Sequence, residues 1–596
     1  MKLEKEMTNM QIAELLRAVA AAYQLKNEEK NRFKIIAYQR AADAIEHASS
    51  ELKDLWDDGK LKEVPGIGES IASHLDELFR TGKSKHFEEV MKGLPKEMFD
   101  LMGVPGIGAK TAYKLVTKIG IKSLTELEKA AKGGKVAELE GFGEQSQSDI
   151  LRSIEETKGR TKRHILPYAA ANAGLVIEWM LKSKVVKRAD PLGSLRRQAA
   201  TVGDIDIAVS SDNPKEALEH FVNYPKKSRI LEKGDRTASI VLPGDVQVDC
   251  MVQPPDSYGA LLQHFTGSKH HNIALREYAI KHGMSLSEYG IKTKGKLQKF
   301  AFEEKFYKKL GMDWIPPELR EDAGEIEAAV SHKLPELVEL KDIKADLQIH
   351  SDFDIETSHD VGESSMEEII KKADELGYEY IAFTEHNPSK SKHNENQIVD
   401  ILKRKREAVD KLNYSFVKRT KESRITAHSR VKKVFNSLEI DILPEGGLAI
   451  PEKALELLDF ALVSIHSTFR LARGPMTKRV LAALAYPKVK IFAHPTARKL
   501  NMREGVELNW PEILGFCKKE EKWLEINAEP MRLDLPDTLV REAVKAGVKL
   551  TLGTDAHHQE AMNNMLFGVS VARRGWATKD DIVNSRSLKE FEKMIH

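Results

Sequence analysis

Cysteine is almost absent: Cys250 and Cys517 are the only two in 596 residues. Two thiols cannot build a disulfide scaffold, and no C-x-x-C pair exists to hold a metal. A reducing, cytoplasmic compartment is therefore expected. No apolar run is long enough to cross a bilayer, and the opening MKLEKEMTNMQIAELL is polar and amphipathic, without the apolar centre of a signal peptide. Secreted, membrane and disulfide-rich classes are thereby excluded. Neither charge dominates: 93 Lys and Arg stand against 91 Asp and Glu, a formal net charge of +2. That total makes no case for nucleic acid, but an average can conceal a basic face beside carboxylate-rich sites.

What the chain does have is length and organisation. Residues 1 to about 155 are helical in texture, with apolar Ile12, Leu15, Leu16 and Val19 at helical spacing. Short β-type runs follow to about 255, then mixed helix and loop to 315, then a Pro- and acid-rich stretch with the composition of a linker. From 341 onwards, β-type and helical runs alternate, as in a parallel α/β domain. The expected architecture is multidomain α/β and α+β.

A repeat precedes any chemistry. Val64-Pro-Gly-Ile-Gly68 recurs as Val104-Pro-Gly-Ile-Gly108, and Glu140-Gly-Phe-Gly143 is a weaker third copy. Two glycines around one apolar residue allow a sharp turn and leave bare amide groups at the start of the next helix. Such a nest can hold a phosphate oxygen directly or through a cation, and it ignores base sequence. One copy alone would be an ordinary glycine-capped corner. The repetition favours helix-hairpin-helix motifs, with Gly66, Gly68, Gly106 and Gly108 against the DNA backbone.

Further on, Gly203-Asp204-Ile-Asp206-Ile-Ala-Val209 has two carboxylates at i and i+2, on one side of a strand. Asp249, in Val246-Gln-Val-Asp-Cys-Met, adds a third on a neighbouring strand. Side by side, such charges repel unless a cation lies between them, and three suit a pair of Mg²⁺ ions in phosphoryl transfer. An exposed Asp-x-Asp is common on its own. The upstream Gly193-Ser194-Leu-Arg196-Arg197, a donor-rich segment for a polyphosphate, favours a nucleotidyltransferase.

Taken together, these motifs resemble those of a family X DNA polymerase, of the DNA polymerase beta type. His264-Phe-Thr-Gly267-Ser268-Lys-His-His-Asn272-Ile-Ala-Leu-Arg276 and Leu286-Ser-Glu-Tyr-Gly290 extend the likeness over residues 1 to 315. The resemblance implies an N-terminal helical domain (1–82), a fingers-like helical domain (83–157), a nucleotidyltransferase palm (158–255) and a nucleotide-selecting thumb (256–315). It places Mg²⁺ or Mn²⁺ on Asp204, Asp206 and Asp249. Arg163, Gly193, Ser194 and Arg197 would then meet the triphosphate, Gly267 and Ser268 the sugar, and Asn272 and Arg276 the nascent base pair and template. His264 stands where the family has an aromatic residue near the sugar. His74 occupies the position of the family's lyase lysine, which argues against Schiff-base chemistry there.

After a linker (316–340), the last stretch (341–596) ends strand after strand in a metal-type ligand. His350, His386, Glu439, His466, His494, Asp555 and His557 all fall at such ends, the way a barrel assembles a site at one face. The donor set suits zinc, manganese or iron. This half resembles the PHP (polymerase and histidinol phosphatase) domain, which implies a distorted seven-stranded (β/α) barrel with 3′-5′ exonuclease or phosphoesterase chemistry. Two positions depart from the PHP pattern: Gln348 replaces the first imidazole of His-x-His, and Asp354-Ile355-Glu356 replaces Ser-Asp-Gly. A weakened or incomplete trinuclear site is expected. Between 401 and 433, 12 Lys and Arg face three acids, which fits a solvated helix face or a DNA-tracking arm.

The expected function is a monomeric, template-directed polymerase that fills gaps in duplex DNA from deoxynucleoside triphosphates during base excision repair, away from membranes. The alternative is a metal-dependent phosphoesterase that uses its polymerase half to dock DNA.

Overall fold

The computed structural model describes residues 7, 9–46, 52, 56, 59, 61–64, 66–102, 104, 107–158, 163–422 and 430–595. They divide into two units, one of residues 1–191 with 202–255 and one of residues 192–201 with 256–596.

The first unit begins with helices whose apolar stripes close two successive cores. Ile12, Leu16, Ile45, Ile71, Leu75 and Phe87 belong to one, and Met98, Leu115, Leu127, Val136 and Ile154 to the next. In each hairpin repeat the second-glycine position starts a helix: Glu69–Thr81, Ala109–Ile119 and Glu144–Lys158. The turn hydrogen bond recurs as well, from the amide of Ile67 to Val64, of Ile107 to Val104 and of Phe142 to Leu139, at 2.9–3.1 Å. The repeated sequence is thus a repeated structure.

A five-stranded sheet completes this unit. Its strands are β1 (Arg188–Pro191), β2 (Ile205–Ser210), β3 (Arg229–Lys233), β4 (Thr237–Leu242) and β5 (Val246–Gln253), in the order β1-β2-β5-β4-β3. Only β2 and β5 run parallel. β5 alternates as a half-buried strand should: Val246, Val248, Cys250 and Val252 are buried, with Gln247, Asp249 and Met251 between them less so. Helices Leu166–Leu181 and Pro214–Val222 pack together, with Trp179 stacked on His220 at a centroid distance of 4.5 Å.

In the second unit, helices Tyr258–Thr266, Lys269–Lys281 and Glu303–Lys309 share a core with Ile315, Leu319, Ile326, Leu337 and Trp576. The stretch expected as a linker is therefore folded into this core, with a short helix at Glu325–Val330. Its Arg320 is fully buried, and donates to Glu303 Oε1 at 2.7 Å, while Arg196 Nη2 donates to Glu303 Oε2 at 2.6 Å. Burial alone would raise the Glu303 carboxyl; the two guanidiniums outweigh it and hold it down at about 2. Composition suggested a linker because a buried ion triad reads as polar sequence.

The rest of the unit is parallel α/β. Strands β6 (Ala345–Ile349), β7 (Tyr380–Phe383) and β8 (Lys433–Asn436) form one sheet. Strands β9 (Glu439–Asp441), β10 (Ala461–Ser464), β11 (Val489–Phe492), β12 (Trp523–Asn527) and β13 (Leu550–Gly553) form another. All their pairings are parallel, and isolated parallel bridges tie the end of β6 to Ala556 (Ile349–Ala556) and the start of β9 to His386 (His386–Glu439). Where seven strands were expected, eight occur among the described residues: Lys433–Asn436, just ahead of the strand expected around Glu439, pairs with β7 as an additional strand.

Candidate active sites

The helix-hairpin-helix turns expose what their sequences promised. Gly68 and Gly108 cap their helices with no side-chain cap hydrogen bond, which among the described residues leaves first-turn amides for an acceptor. A Cβ at Gly68 or Gly108 would meet nothing within 4 Å, and both have negative φ. Gly66 instead has φ +80°, a left-handed turn that glycine alone adopts without strain. Gly106 lies outside the described residues. Beside the first hairpin, His74 stacks on His86 with centroids 4.0 Å apart, and Tyr23 Oη lies 2.9 Å from His86 Nε2. Burial depresses both imidazoles, so this corner carries neutral rings where a Schiff base would need an amine.

The palm carboxylates come together through register. Asp206 and Asp249 are paired directly across the parallel strands β2 and β5, so their side chains share one face. Asp204, two residues before Asp206, lies exposed just ahead of β2, while Ile205, Ile207 and Val209 are fully buried. Gln247 Nε2 reaches both Asp249 oxygens, at 3.1 and 3.0 Å. This donor went unnoticed in the sequence, although its i−2 spacing to Asp249 on β5 was the available signal. A cavity of about 380 Å³ opens here, lined by Glu232, Ser239, Gln247 and Asp249 among others. Arg163 comes close to Gly203, with Nη1 3.4 Å from where a glycine Cβ would stand. Of the three expected carboxylates Asp249 lines this cavity, and paired carboxylates such as Asp206 and Asp249 are a donor set for divalent cations.

In the other unit, Gly193–Arg196 forms a single helical turn. Arg197 Nη1 donates to the carbonyl of Thr266, and a Cβ at Gly267 would come within 3.1 Å of that nitrogen. Gly267 has φ +68°, and Ser268 caps helix Lys269–Lys281 by accepting from the His271 amide. Asn272 Nδ2 donates to the His264 carbonyl at 2.7 Å, and burial depresses the His264 imidazole. Arg276 is exposed one turn on. The structure therefore brings Gly193, Ser194, Arg197, His264, Gly267, Ser268 and Asn272 into one neighbourhood of this unit, with Asp204, Asp206, Asp249 and Arg163 in the first.

The second candidate site lies at the C-terminal ends of β6–β13. Glu439 is its hub. His494 Nε2 stands 2.8 Å from its Oε1 and His466 Nε2 3.3 Å, while His350 Nε2 and His386 Nδ1 stand 3.4 and 3.5 Å from its Oε2. His350 Nε2 is also 3.1 Å from Asp555 Oδ1. Four overlapping triads result: His350, His386 and His557; His359, His386 and His466; Glu439, His466 and His494; and His350, Glu439 and Asp555. All seven expected ligands are included. Among the described residues, His350 Nδ1, His494 Nδ1 and His557 Nε2 are buried without a hydrogen-bond partner. Orphaned imidazole nitrogens beside carboxylates fit a site built for cations.

The protonation pattern agrees. Burial opposes a charge on His350, but Asp555 and Glu439 outweigh it and raise the imidazole to about 10. Burial likewise opposes His466, which Asp441 and Glu439 lift to about 9. Burial pushes His386 well below its usual range and His557 down to about 4.

Two departures in this half resolve differently. Gln348 Nε2 donates to Glu439 Oε2 at 2.9 Å, and its Oε1 accepts from Asn527 at 3.2 Å, so it braces the hub. Ile355 is buried, and Glu356 pairs with His393 and Arg404 at 2.8 and 2.9 Å, apart from the triads. His359 instead enters the cluster, held by Asp441 at 2.7 Å, and the same carboxylate holds His466 at 2.7 Å. Neither had been singled out. Asp441 was recognisable as the i+2 partner of Glu439, whereas His359 sits on a loop, where periodicity gives no guide.

Similarity along nearly the whole chain decides the family. The chain is 32% identical over 588 residues, 98% of either protein, to the DNA polymerase/3′-5′ exonuclease PolX of Bacillus subtilis (strain 168). It belongs to the family X DNA polymerases. A DNA polymerase beta thumb matches residues 261–321, a helix-hairpin-helix domain 7–84, and a SAM-like helix-hairpin-helix tandem 98–156. DNA polymerase lambda of Rattus norvegicus is 24% identical over 299 residues, covering 46% of this chain and 48% of that protein. A probable phosphatase of Thermoanaerobacter sp. (strain X514) is 24% identical over 173 residues, 27% of this chain and 68% of its own. As a family X enzyme this protein is a DNA-directed DNA polymerase that binds DNA and takes nucleotide substrates, and it carries clusters of His, Asp and Glu that could hold metal ions. Among the described residues no helix is long and apolar enough to cross a membrane.

Proposed function

We propose that this family X polymerase fills short gaps in duplex DNA during base excision repair, and that its C-terminal half is a 3′-5′ exonuclease on a PHP-type distorted barrel. The observation that carries the polymerase reading is the direct pairing of Asp206 with Asp249 across β2 and β5. Asp204, Asp206 and Asp249 would hold two Mg²⁺ (or Mn²⁺), which when bound activate the primer 3′-hydroxyl and neutralise the departing pyrophosphate. Asp249, both of whose oxygens accept from Gln247, would orient that hydroxyl. Gly193, Ser194, Arg197 and Arg163 would bind the triphosphate. Gly267, Ser268 and His264 would meet the sugar, and Asn272 and Arg276 the base pair. The hairpin glycines would grip the DNA backbone on a monomeric enzyme whose boundaries follow helical, palm, thumb and barrel segments.

At the cluster, zinc, manganese or iron would bind among His350, His359, His386, Glu439, His466, His494, Asp555 and His557, and supply Lewis-acid activation of a phosphodiester. Gln348 contributes no imidazole, so the position it shares with His350, Glu439 and Asp555 would hold metal most weakly. Single-nucleotide insertion into gapped DNA carrying a 5′-phosphate tests the first reading. Asp249→Asn is expected to abolish insertion at saturating Mg²⁺, and unchanged insertion would refute the assignment. Loss of terminal-nucleotide excision on chelation, with restoration by Mn²⁺, tests the second; excision that is indifferent to chelator would refute it.

A further inference from the structure

Helix Met565–Arg574 belongs to the C-terminal half, yet it rests on the segment that carries Arg197. Arg574 Nη1 donates to the Arg197 carbonyl at 2.8 Å and to Glu321 Oε1 at 3.0 Å. That same Glu321 oxygen accepts from Arg197 Nε at 2.9 Å. One turn earlier on the helix, Ser570 Oγ donates to Gln198 Oε1 at 3.2 Å, and Gln198 is held at φ +56°. The far side of Arg574 is anchored by Asp537, at 2.6 and 2.8 Å. The Arg574 side chain is 9% exposed and that of Arg197 14%, so these contacts are weakly screened.

We infer that Arg574 is a positioning residue for nucleotide binding, coupling the C-terminal half to the triphosphate-binding turn through Glu321 and the Arg197 backbone. This rests on the reading that Arg197 meets the incoming triphosphate. A guanidinium that must bind phosphate cannot be neutralised beforehand by a carboxylate of its own. Glu321, shared between two guanidiniums, leaves Arg197 part of its charge. The grip on the Arg197 carbonyl fixes the direction in which the side chain leaves the backbone. Without Arg574, Glu321 would pair with Arg197 alone, and the turn would lose its anchor. The cost would fall on triphosphate affinity rather than on the chemical step.

Steady-state insertion by the full chain on gapped DNA, with melting temperatures recorded alongside, tests this. Arg574→Ala is expected to raise the deoxynucleotide KM roughly tenfold, as for one lost charge-assisted hydrogen bond, with kcat changed by less than about twofold. Arg574→Lys, the variant safest for folding, should recover part of the loss. Adding Glu321→Gln to Arg574→Ala should lower KM again, because the competing charge is gone; a merely structural defect would worsen instead. An unchanged KM in Arg574→Ala, or a double variant no better than the single, overturns the inference. Arg197→Ala separates the two layers. If it raises KM and Arg574→Ala does not, only the coupling fails; if Arg197→Ala leaves KM unaltered, the triphosphate assignment fails and the coupling with it.

Discussion

Gln348 donates to the Glu439 carboxylate and accepts from Asn527, so two hydrogen bonds stand where the PHP pattern has a metal-binding imidazole. An amide oxygen is a poor ligand for zinc-like ions beside the imidazoles around it. Gln348→His is therefore expected to raise the metal bound per chain, measured by elemental analysis after gel filtration, and to speed 3′-end excision. An unchanged metal content would show that position 348 is outside the coordination sphere. Glu303 allows a prediction with a definite sign. Its folded value, about 2, lies below the ordinary 4.5, so its stabilisation is complete above pH 4.5 and lost as pH falls from there towards 2. Glu303→Gln leaves Arg196 and Arg320 facing no charge and should cost about 3–5 kcal/mol at neutral pH. Its melting temperature should fall less steeply than wild type's below pH 4.5; parallel curves would contradict the assignment. Placement was legible in the sequence where a regular strand carries the residue, as for Asp206 and Asp249, which pair across β2 and β5; Asp204 falls just ahead of β2 instead. It was not legible for His359, whose approach to His386 and His466 depends on a loop path.

At the level of elements, the hairpins offer a clean test because Gly68 and Gly108 have ordinary backbone angles and open space where a Cβ would go. Alanine there should leave the fold intact, even gaining slightly from a stiffer unfolded chain. It should obstruct a phosphate approaching the bare amides. Gly68→Ala with Gly108→Ala is expected to weaken binding to gapped DNA several-fold at unchanged melting temperature, as read by fluorescence anisotropy. Unaltered affinity would argue against backbone contact at these turns. The basic segment shows the limit of charge counting. Of its described part, Lys405 is buried against Glu385 at 2.5 Å, and Arg404 and Arg406 pair with Glu356 and Asp459 at 2.9 and 2.8 Å. These three cations hold the helix Glu395–Glu422 to its own domain, because a buried lysine reads in sequence like an exposed one. Residues 423–429 lie outside the described residues. The same ambiguity made 316–340 resemble a linker, when Arg320 and Glu325 are buried charges with partners.

Across the whole molecule, the near-zero net charge averages the arginines proposed to meet phosphate with the two carboxylate-bearing centres proposed to hold cations. The centres differ in donors. Asp204, Asp206 and Asp249 offer oxygen alone, suited to hard Mg²⁺, whereas the second cluster is rich in imidazole and suits softer ions. The two chemistries should therefore separate by mutation and by metal. Single-nucleotide extension on gapped DNA with a 5′-phosphate, comparing wild type, Asp206→Ala and His466→Ala, tests this most directly. Asp206→Ala is expected to lose at least about a thousandfold in extension rate, while His466→Ala extends normally and loses only 3′-end excision. Extension that survives Asp206→Ala would contradict the account.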